Sequence, residues 1–119
     1  MLLCSGKVYY DLAVAREQRE IRDVAIVRIE QLYPFPAEDI RAALAPFANA
    51  GEVAWVQEEP WNMGAWSFMH QRLVPIIGER PLRYLGRDEA ASPAIGSYKL
   101  HQTEQAEIVD RALKKSHGG

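Results

Sequence analysis

The stretch Glu52-Val53-Ala54-Trp55-Val56-Gln57-Glu58-Glu59-Pro60-Trp61-Asn62-Met63-Gly64-Ala65-Trp66 leads from an apolar run through two acids and a proline to a glycine between two tryptophans. Residues Glu52 to Gln57 read as a strand, the acids and aromatics as the loop at its carboxyl end, and Trp66, Met69, Leu73 and Val74 as one face of a helix that Pro75 should limit. A strand delivered into a helix through such a loop is one unit of an α/β layer structure.

The same alternation repeats on both sides. Leu2 to Cys4 is a short apolar strand, Ser5 and Gly6 turn the chain, and Val8, Leu12 and Ala15 mark a helix face. Val24 to Ile29 reads as a buried strand. In Leu32-Tyr33-Pro34-Phe35-Pro36 the prolines forbid helix before Pro36 and suit its first turn. The next helix therefore runs from about Ala37, with Ile40, Ala43, Leu44 and Phe47 on one face. Glu38 and Asp39 complement its amino end, and Asn49 with Gly51 supplies the stop. Downstream, Pro81 to Leu85 gives a fourth strand and Ser92 to Ile95 a short fifth. Ile108, Val109, Ala112 and Leu113 stripe a last helix from about His101 to Lys115. Strands alternating with helices predict a three-layer α/β/α sandwich on a mostly parallel sheet of about five strands. No repeat or linker argues for more than one domain over residues 1–119.

Composition narrows the function classes. With 14 basic and 16 acidic side chains the net charge is −2, so nothing favours nucleic acid or an anionic membrane. The apolar runs fall far short of the roughly 20 residues that span a bilayer, and no signal-peptide pattern opens the chain. A soluble intracellular protein is expected. The single cysteine, Cys4, excludes an intrachain disulfide and a cysteine-built zinc site, and its apolar setting marks it as core. A chain that opens inside a strand also reads as a piece of something longer.

Ligands of open parallel sheets gather outside the carboxyl ends of the strands, which makes Glu58 and Glu59 candidates for acid/base work. Consecutive strand residues point to opposite faces, however, so the two should not meet at one substrate atom. The preferred reading has one of them accept backbone hydrogen bonds from the loop or the next helix's amino end, with Trp61 and Trp66 covering apolar surface, and an interface role lies between the two. Ser5-Gly6-Lys7 stands where a phosphate would bind but lacks a glycine-rich loop. His101 and Glu104 are spaced as two metal ligands without a third. Arg83, Arg87, Ser97 and Lys99 form a conceivable phosphate site, with solvated surface charge the simpler reading. On these residues alone the domain has no self-contained active site.

Several long strings carry a resemblance. Cys4 to Leu12 (Cys-Ser-Gly-Lys-Val-Tyr-Tyr-Asp-Leu), Val24 to Pro36, Gln57 to Trp66, Leu82 to Arg87, Ala91 to Gly96, and His101 with Glu104-Gln105 resemble, in order, the carboxyl-terminal domain of the thiamine-diphosphate-dependent component of 2-oxoglutarate dehydrogenases. The resemblance implies a transketolase-type carboxyl-terminal domain and an oxidoreductase that decarboxylates 2-oxoglutarate in the tricarboxylic acid cycle. In such an enzyme thiamine diphosphate and magnesium lie between two other domains at a homodimer interface. The succinyl unit passes to lipoyl groups of a dihydrolipoyl succinyltransferase, which dihydrolipoyl dehydrogenase serves in turn.

The resemblance assigns no catalytic, cofactor or metal residue to this chain. Glu58, Glu59, Trp61 and Trp66 become candidates for contact with neighbouring domains or the dimer partner, and Arg87, Ser97 and Lys99 for a regulatory nucleotide or acyl-coenzyme A. It implies bacterial cytoplasm, or the mitochondrial matrix in a eukaryote. Two alternatives stay open: a free-standing binding or regulatory module of this fold, and the related 2-oxoadipate dehydrogenase.

Overall fold

The computed structural model describes residues 1–30, 34–87 and 98–114, with only the backbone described for 98–103. Strand β1 (Leu2–Cys4) leads to helix α1 (Val8–Gln18), β2 (Ile26–Arg28) to α2 (Ala37–Leu44) with a 3₁₀ turn at Ala45–Phe47. Then β3 (Val53–Pro60) leads to α3 (Trp66–Ile77), and β4 (Leu82–Arg87) precedes α4 (Tyr98–Leu113). The four strands form one sheet in the order β2-β1-β3-β4, and every pairing is parallel.

Strand alternation builds the layers. Leu2, Cys4, Ala54 and Val56 face one side and meet Val8 and Leu12 of α1 and Ile108, Val109, Ala112 and Leu113 of α4. Leu3, Val53 and Trp55 face the other and meet Ile40 and Leu44 of α2 and Met69, Leu73 and Ile77 of α3. Covering both faces explains why the interior strands β1 and, as far as Gln57, β3 are buried runs, whereas β2 at the edge is only Ile26–Arg28 and partly buried, not the buried strand expected over Val24 to Ile29. The three-layer α/β/α sandwich expected from the sequence is the architecture found.

Several boundaries differ, each for a physical reason. β3 continues three residues past Gln57, so Glu58 and Glu59 lie inside the strand. Its register on β4 shifts between Val56 and Pro60, so β3 bulges where the two acids lie. β4 likewise starts one residue later than expected and runs on to Arg87 to match it. Pro75 does not stop α3: Ile77, four residues beyond Leu73, is buried one turn further on. Gly78, at φ +73, ends the helix instead, and its N–H donates to the Val74 carbonyl. Val74 is 43% exposed, one step off the Met69–Leu73–Ile77 stripe. Ala43 is exposed for the same reason, since α2 seats on the sheet through Ile40 and Leu44. α4 begins at Tyr98, three residues earlier than the stripe alone indicated. The expected fifth strand, Ser92 to Ile95, lies outside the described residues.

Candidate functional site

The carboxyl end of β3 is organised by one neutral side chain. Gln57 is 3% exposed, and its Oε1 accepts from the Trp55 indole Nε1 (2.8 Å) and from the Trp66 backbone N–H (3.0 Å). Its Nε2 lies within hydrogen-bonding distance of the carbonyls of Glu59 (3.1 Å), Pro60 (2.9 Å) and Met63 (2.9 Å), which share its two hydrogens. One amide thus ties the strand, the loop and the first turn of α3 together. Sequence reasoning passed over this residue; the signal it offered was a lone amide at the end of a run otherwise buried on both faces.

Two glycines make room for this arrangement. Gly64 sits at φ +68, and a Cβ there would lie 2.9 Å from Glu59 Oε1 and 3.1 Å from Gln57 Nε2. Gly86 of β4 lets the bulged strand approach, since a Cβ there would lie 2.7 Å from the Gln57 carbonyl oxygen. Beside it the Tyr84 hydroxyl reaches the carbonyls of Arg87 (2.6 Å) and Glu59 (2.9 Å), and the Trp61 N–H donates to Arg87 O (3.1 Å).

The two acids diverge as strand geometry requires. Glu58 accepts from Lys7 Nζ at 2.7 Å, at the start of α1, while Glu59 lies against Gly64 at the start of α3. They form no acid/base pair. The Glu58 carboxylate holds the Lys7 ammonium above its ordinary pKa. The tryptophans part company too. Trp66 is half-buried, tilted against Tyr84 and His70 with ring centroids 5.4 and 5.0 Å apart. Trp61 is 44% exposed, and Met63 on the same loop is 55% exposed.

Between this loop and the β1–α1 turn lies a cleft of about 530 Å³, lined by Ser5, Gly6, Trp55, Gln57, Glu59, Gly64, Ala65 and Phe68. The Ser5-Gly6-Lys7 turn does not present a phosphate cradle. The Gly6 N–H already donates to Glu30 Oε1 (3.3 Å), and Lys7 is held by Glu58. A carboxylate of the chain itself occupies the position an anion would take.

The remaining candidates are inert, dispersed or outside the described residues. Cys4 is fully buried, and burial, reinforced by Glu30, pushes its thiol up to about 12, which makes it inert. Arg83 pairs with Glu52 at 3.0 Å near the amino end of β4, whereas Arg87 lies at the carboxyl end with Nε 3.6 Å from Glu104 Oε1. Lys99 is in the first turn of α4, while its side chain and Ser97 lie outside the described residues, as does the His101 side chain. Among the described residues no group of three His, Cys, Asp or Glu side chains could hold a metal ion. No helix among them is long and apolar enough to cross a membrane.

Comparison with known proteins gives the same answer along nearly the whole chain. The family model described as 2-oxoglutarate dehydrogenase C-terminal matches residues 1–113. Proteins named 2-oxoglutarate dehydrogenase E1 component are similar to it: that of Haemophilus influenzae is 48% identical over 114 residues, covering 95% of this chain. The one from Cupriavidus necator is 44% identical over 119 residues, 99% of the chain, and that of Azotobacter vinelandii 46% over 117 residues, 95% of the chain. In each case the chain spans 12% of the relative's length. With its Gln-Glu-Glu-Pro-Trp loop, layered sheet and collinear match, this chain belongs to the 2-oxoglutarate dehydrogenase C-terminal family.

Proposed function

We propose that this domain is the carboxyl-terminal unit of a thiamine-diphosphate-dependent 2-oxoglutarate dehydrogenase, where it supports the dimer and does no bond-breaking chemistry itself. The observation that carries this reading is the β3–α3 junction. A buried amide fixes a loop whose largest side chains, Trp61 and Met63, face outward, while the neighbouring acids are split between two faces. That is the build of a contact surface, with aromatic and methionine anchors on a rigid support. Trp61 is its centre, Glu59 its rim, and Glu58 and Trp66 hold the frame.

The whole enzyme would oxidatively decarboxylate 2-oxoglutarate and pass the succinyl group to lipoyl groups of a dihydrolipoyl succinyltransferase, alongside dihydrolipoyl dehydrogenase, in the bacterial cytoplasm. Thiamine diphosphate would supply the electron sink for that decarboxylation. The described residues do not fit it or its magnesium: they bring no three metal-ligating side chains together, and the Gly6 amide is taken by Glu30. Our reading places the cofactor on other segments of such an enzyme, and no step is routed through this domain. Arg87, at the carboxyl end of β4, remains the first residue to substitute in a search for a regulatory nucleotide.

Grafting tests the reading. This chain replaces the matching segment of the Haemophilus influenzae relative, and 2-oxoglutarate-dependent dye reduction is measured with thiamine diphosphate and magnesium. The chimera should be an active dimer and the 119-residue chain alone inactive. Turnover by the chain alone, or a folded chimera that neither dimerises nor turns over, overturns the proposal. Comparing 2-oxoadipate as substrate in the same assay separates the sister activity.

A further inference from the structure

We propose that Met63 is a modification site, at which a hydroperoxide oxidises the thioether to the sulfoxide, leaving the fold intact and turning the apolar tip of the β3–α3 loop polar. The inference rests on the reading that this loop is a contact surface, and it adds the chemistry that changes that surface.

Burial selects the sulfur. The chain carries four sulfur atoms, in Cys4, Met1, Met63 and Met69. Cys4 and Met69 are fully buried, on opposite faces of the sheet, and Met1 is partly buried against the core that holds Met69. Met63 stands in solvent, 55% exposed. The usual competitor for a peroxide is a thiolate, and burial keeps the Cys4 thiol protonated at neutral pH. An oxidant arriving from solution therefore meets the Met63 thioether first.

The step is a transfer of one oxygen. A sulfur lone pair attacks one oxygen of hydrogen peroxide, the S–O bond forms as the O–O bond breaks, and hydroxide departs. The proton of the attacked oxygen then joins that hydroxide, so water leaves and the sulfoxide remains. Sulfur gives up two electrons and the peroxide takes them. A dithiol-dependent methionine sulfoxide reductase reverses the change, the oxygen leaving as water while two thiols become a disulfide.

The loop is built to tolerate this. The Met63 N–H donates to the Pro60 carbonyl (2.9 Å), and its own carbonyl accepts from Gln57 Nε2 (2.9 Å). None of these bonds uses the thioether, so the backbone keeps its path when the side chain changes. At Met69 the same oxygen would be forced among Leu3, Trp55 and Leu73, where a polar group finds no partner to offset its burial.

What changes is the surface. Trp61, two residues away and 44% exposed, is the other large apolar side chain turned outward on this loop. A thioether is a soft, apolar contact group, whereas a sulfoxide is a strong hydrogen-bond acceptor that must shed water whenever the loop is covered.

The test treats the 119-residue chain with hydrogen peroxide. Cleavage after Arg41 and Arg72 places Met63 and Met69 on one tryptic peptide, whose fragmentation in the mass spectrometer locates the oxygen. Met63 should be oxidised at least about tenfold faster than Met69, which reacts only when α3 opens. The urea midpoint of the singly oxidised chain should stay where it was. Self-association should weaken by about fivefold, the scale of one lost thioether contact, and the reductase should restore it. Met63→Leu should associate normally and ignore peroxide. Equal oxidation of Met63 and Met69, a lowered urea midpoint on oxidation at Met63, or a peroxide effect that survives Met63→Leu overturns the proposal. An active, dimeric chimera beside an isolated chain whose two methionines oxidise alike sinks this inference alone. Selective, fold-silent oxidation of a chain that stays monomeric at every concentration sinks the contact reading and leaves the modification site standing.

Discussion

Two strand-to-helix junctions stand side by side at the carboxyl edge of the sheet and solve the same problem differently. The β1–α1 turn, Ser5 to Lys7, is short, and charge holds it: Glu30 on the Gly6 amide, Glu58 on an ammonium whose side chain is 71% exposed. The β3–α3 junction is longer, and a neutral, fully buried amide holds it from inside. Exposed charge pairs are screened and contribute little, whereas a buried hydrogen-bonding group is costly to leave unmatched. The second junction should therefore be the rigid one. It carries the exposed tryptophan.

The comparison breaks most directly at Gln57. Gln57→Leu strands the Trp55 indole N–H and several loop carbonyls, and at ~1–3 kcal/mol for each group left unsatisfied the expected loss is about 3–5 kcal/mol. Urea unfolding measures it. A loss under about 1 kcal/mol would mean that water replaces the amide and that the loop is not held as described.

Gly64→Ala comes next, with an expected loss of about 2–3 kcal/mol from positive φ combined with the approach to Glu59 and Gln57. Gly6→Ala is its partner experiment in the other junction. Gly6 has φ +80 but nothing within 4 Å of an added Cβ, so only the backbone term of about 1–2 kcal/mol should appear. Equal losses at the two glycines would show that crowding by Gln57 and Glu59 is relieved.

The smallest stability changes fall on the exposed groups. Lys7→Met should alter the urea midpoint by no more than about 0.5 kcal/mol equivalent, since it removes only a screened pair. Trp61→Ala should also stay within about 0.5 kcal/mol of folding stability. It should nevertheless weaken self-association of the 119-residue chain, read by sedimentation across a concentration series. A chain that sediments as a monomer at every concentration would remove Trp61 as an anchor.

The layered architecture was legible because periodicity reports burial directly. Ile108, Val109, Ala112 and Leu113 all turn inward, and so do Ile40 and Leu44. What escaped reading were places where tertiary contact overrules a local rule. Pro75 ordinarily ends a helix, yet α3 continues to bury Ile77. Gly86 ordinarily weakens a strand, yet β4 needs it to admit the bulge in β3. At the site, Glu58 and Glu59 were correctly separated by strand alternation. Gln57 was missed because its five partners, all within nine residues of it, converge on the amide only once the Pro60–Ala65 loop has folded back over the strand end. The resemblance carried by Gln57 to Trp66 named the family without revealing that the first residue of the string anchors the rest.

The strand order β2-β1-β3-β4 also sets a schedule. β1 lies inside the sheet, and its register joins Leu2 to Ile26 on one side and to Ala54 on the other. A ribosome making this segment releases the interior strand first, and its second flank does not exist until some fifty residues later. Until β3 emerges, the Leu2–Cys4 backbone has at most one edge satisfied, so assembly depends on closing a long loop onto a three-residue strand. Nascent chains halted before Val53 should accordingly be protease-sensitive and chaperone-bound, and protection of β1 should begin only once β3 clears the exit tunnel and be complete when α4 covers Leu2 and Cys4.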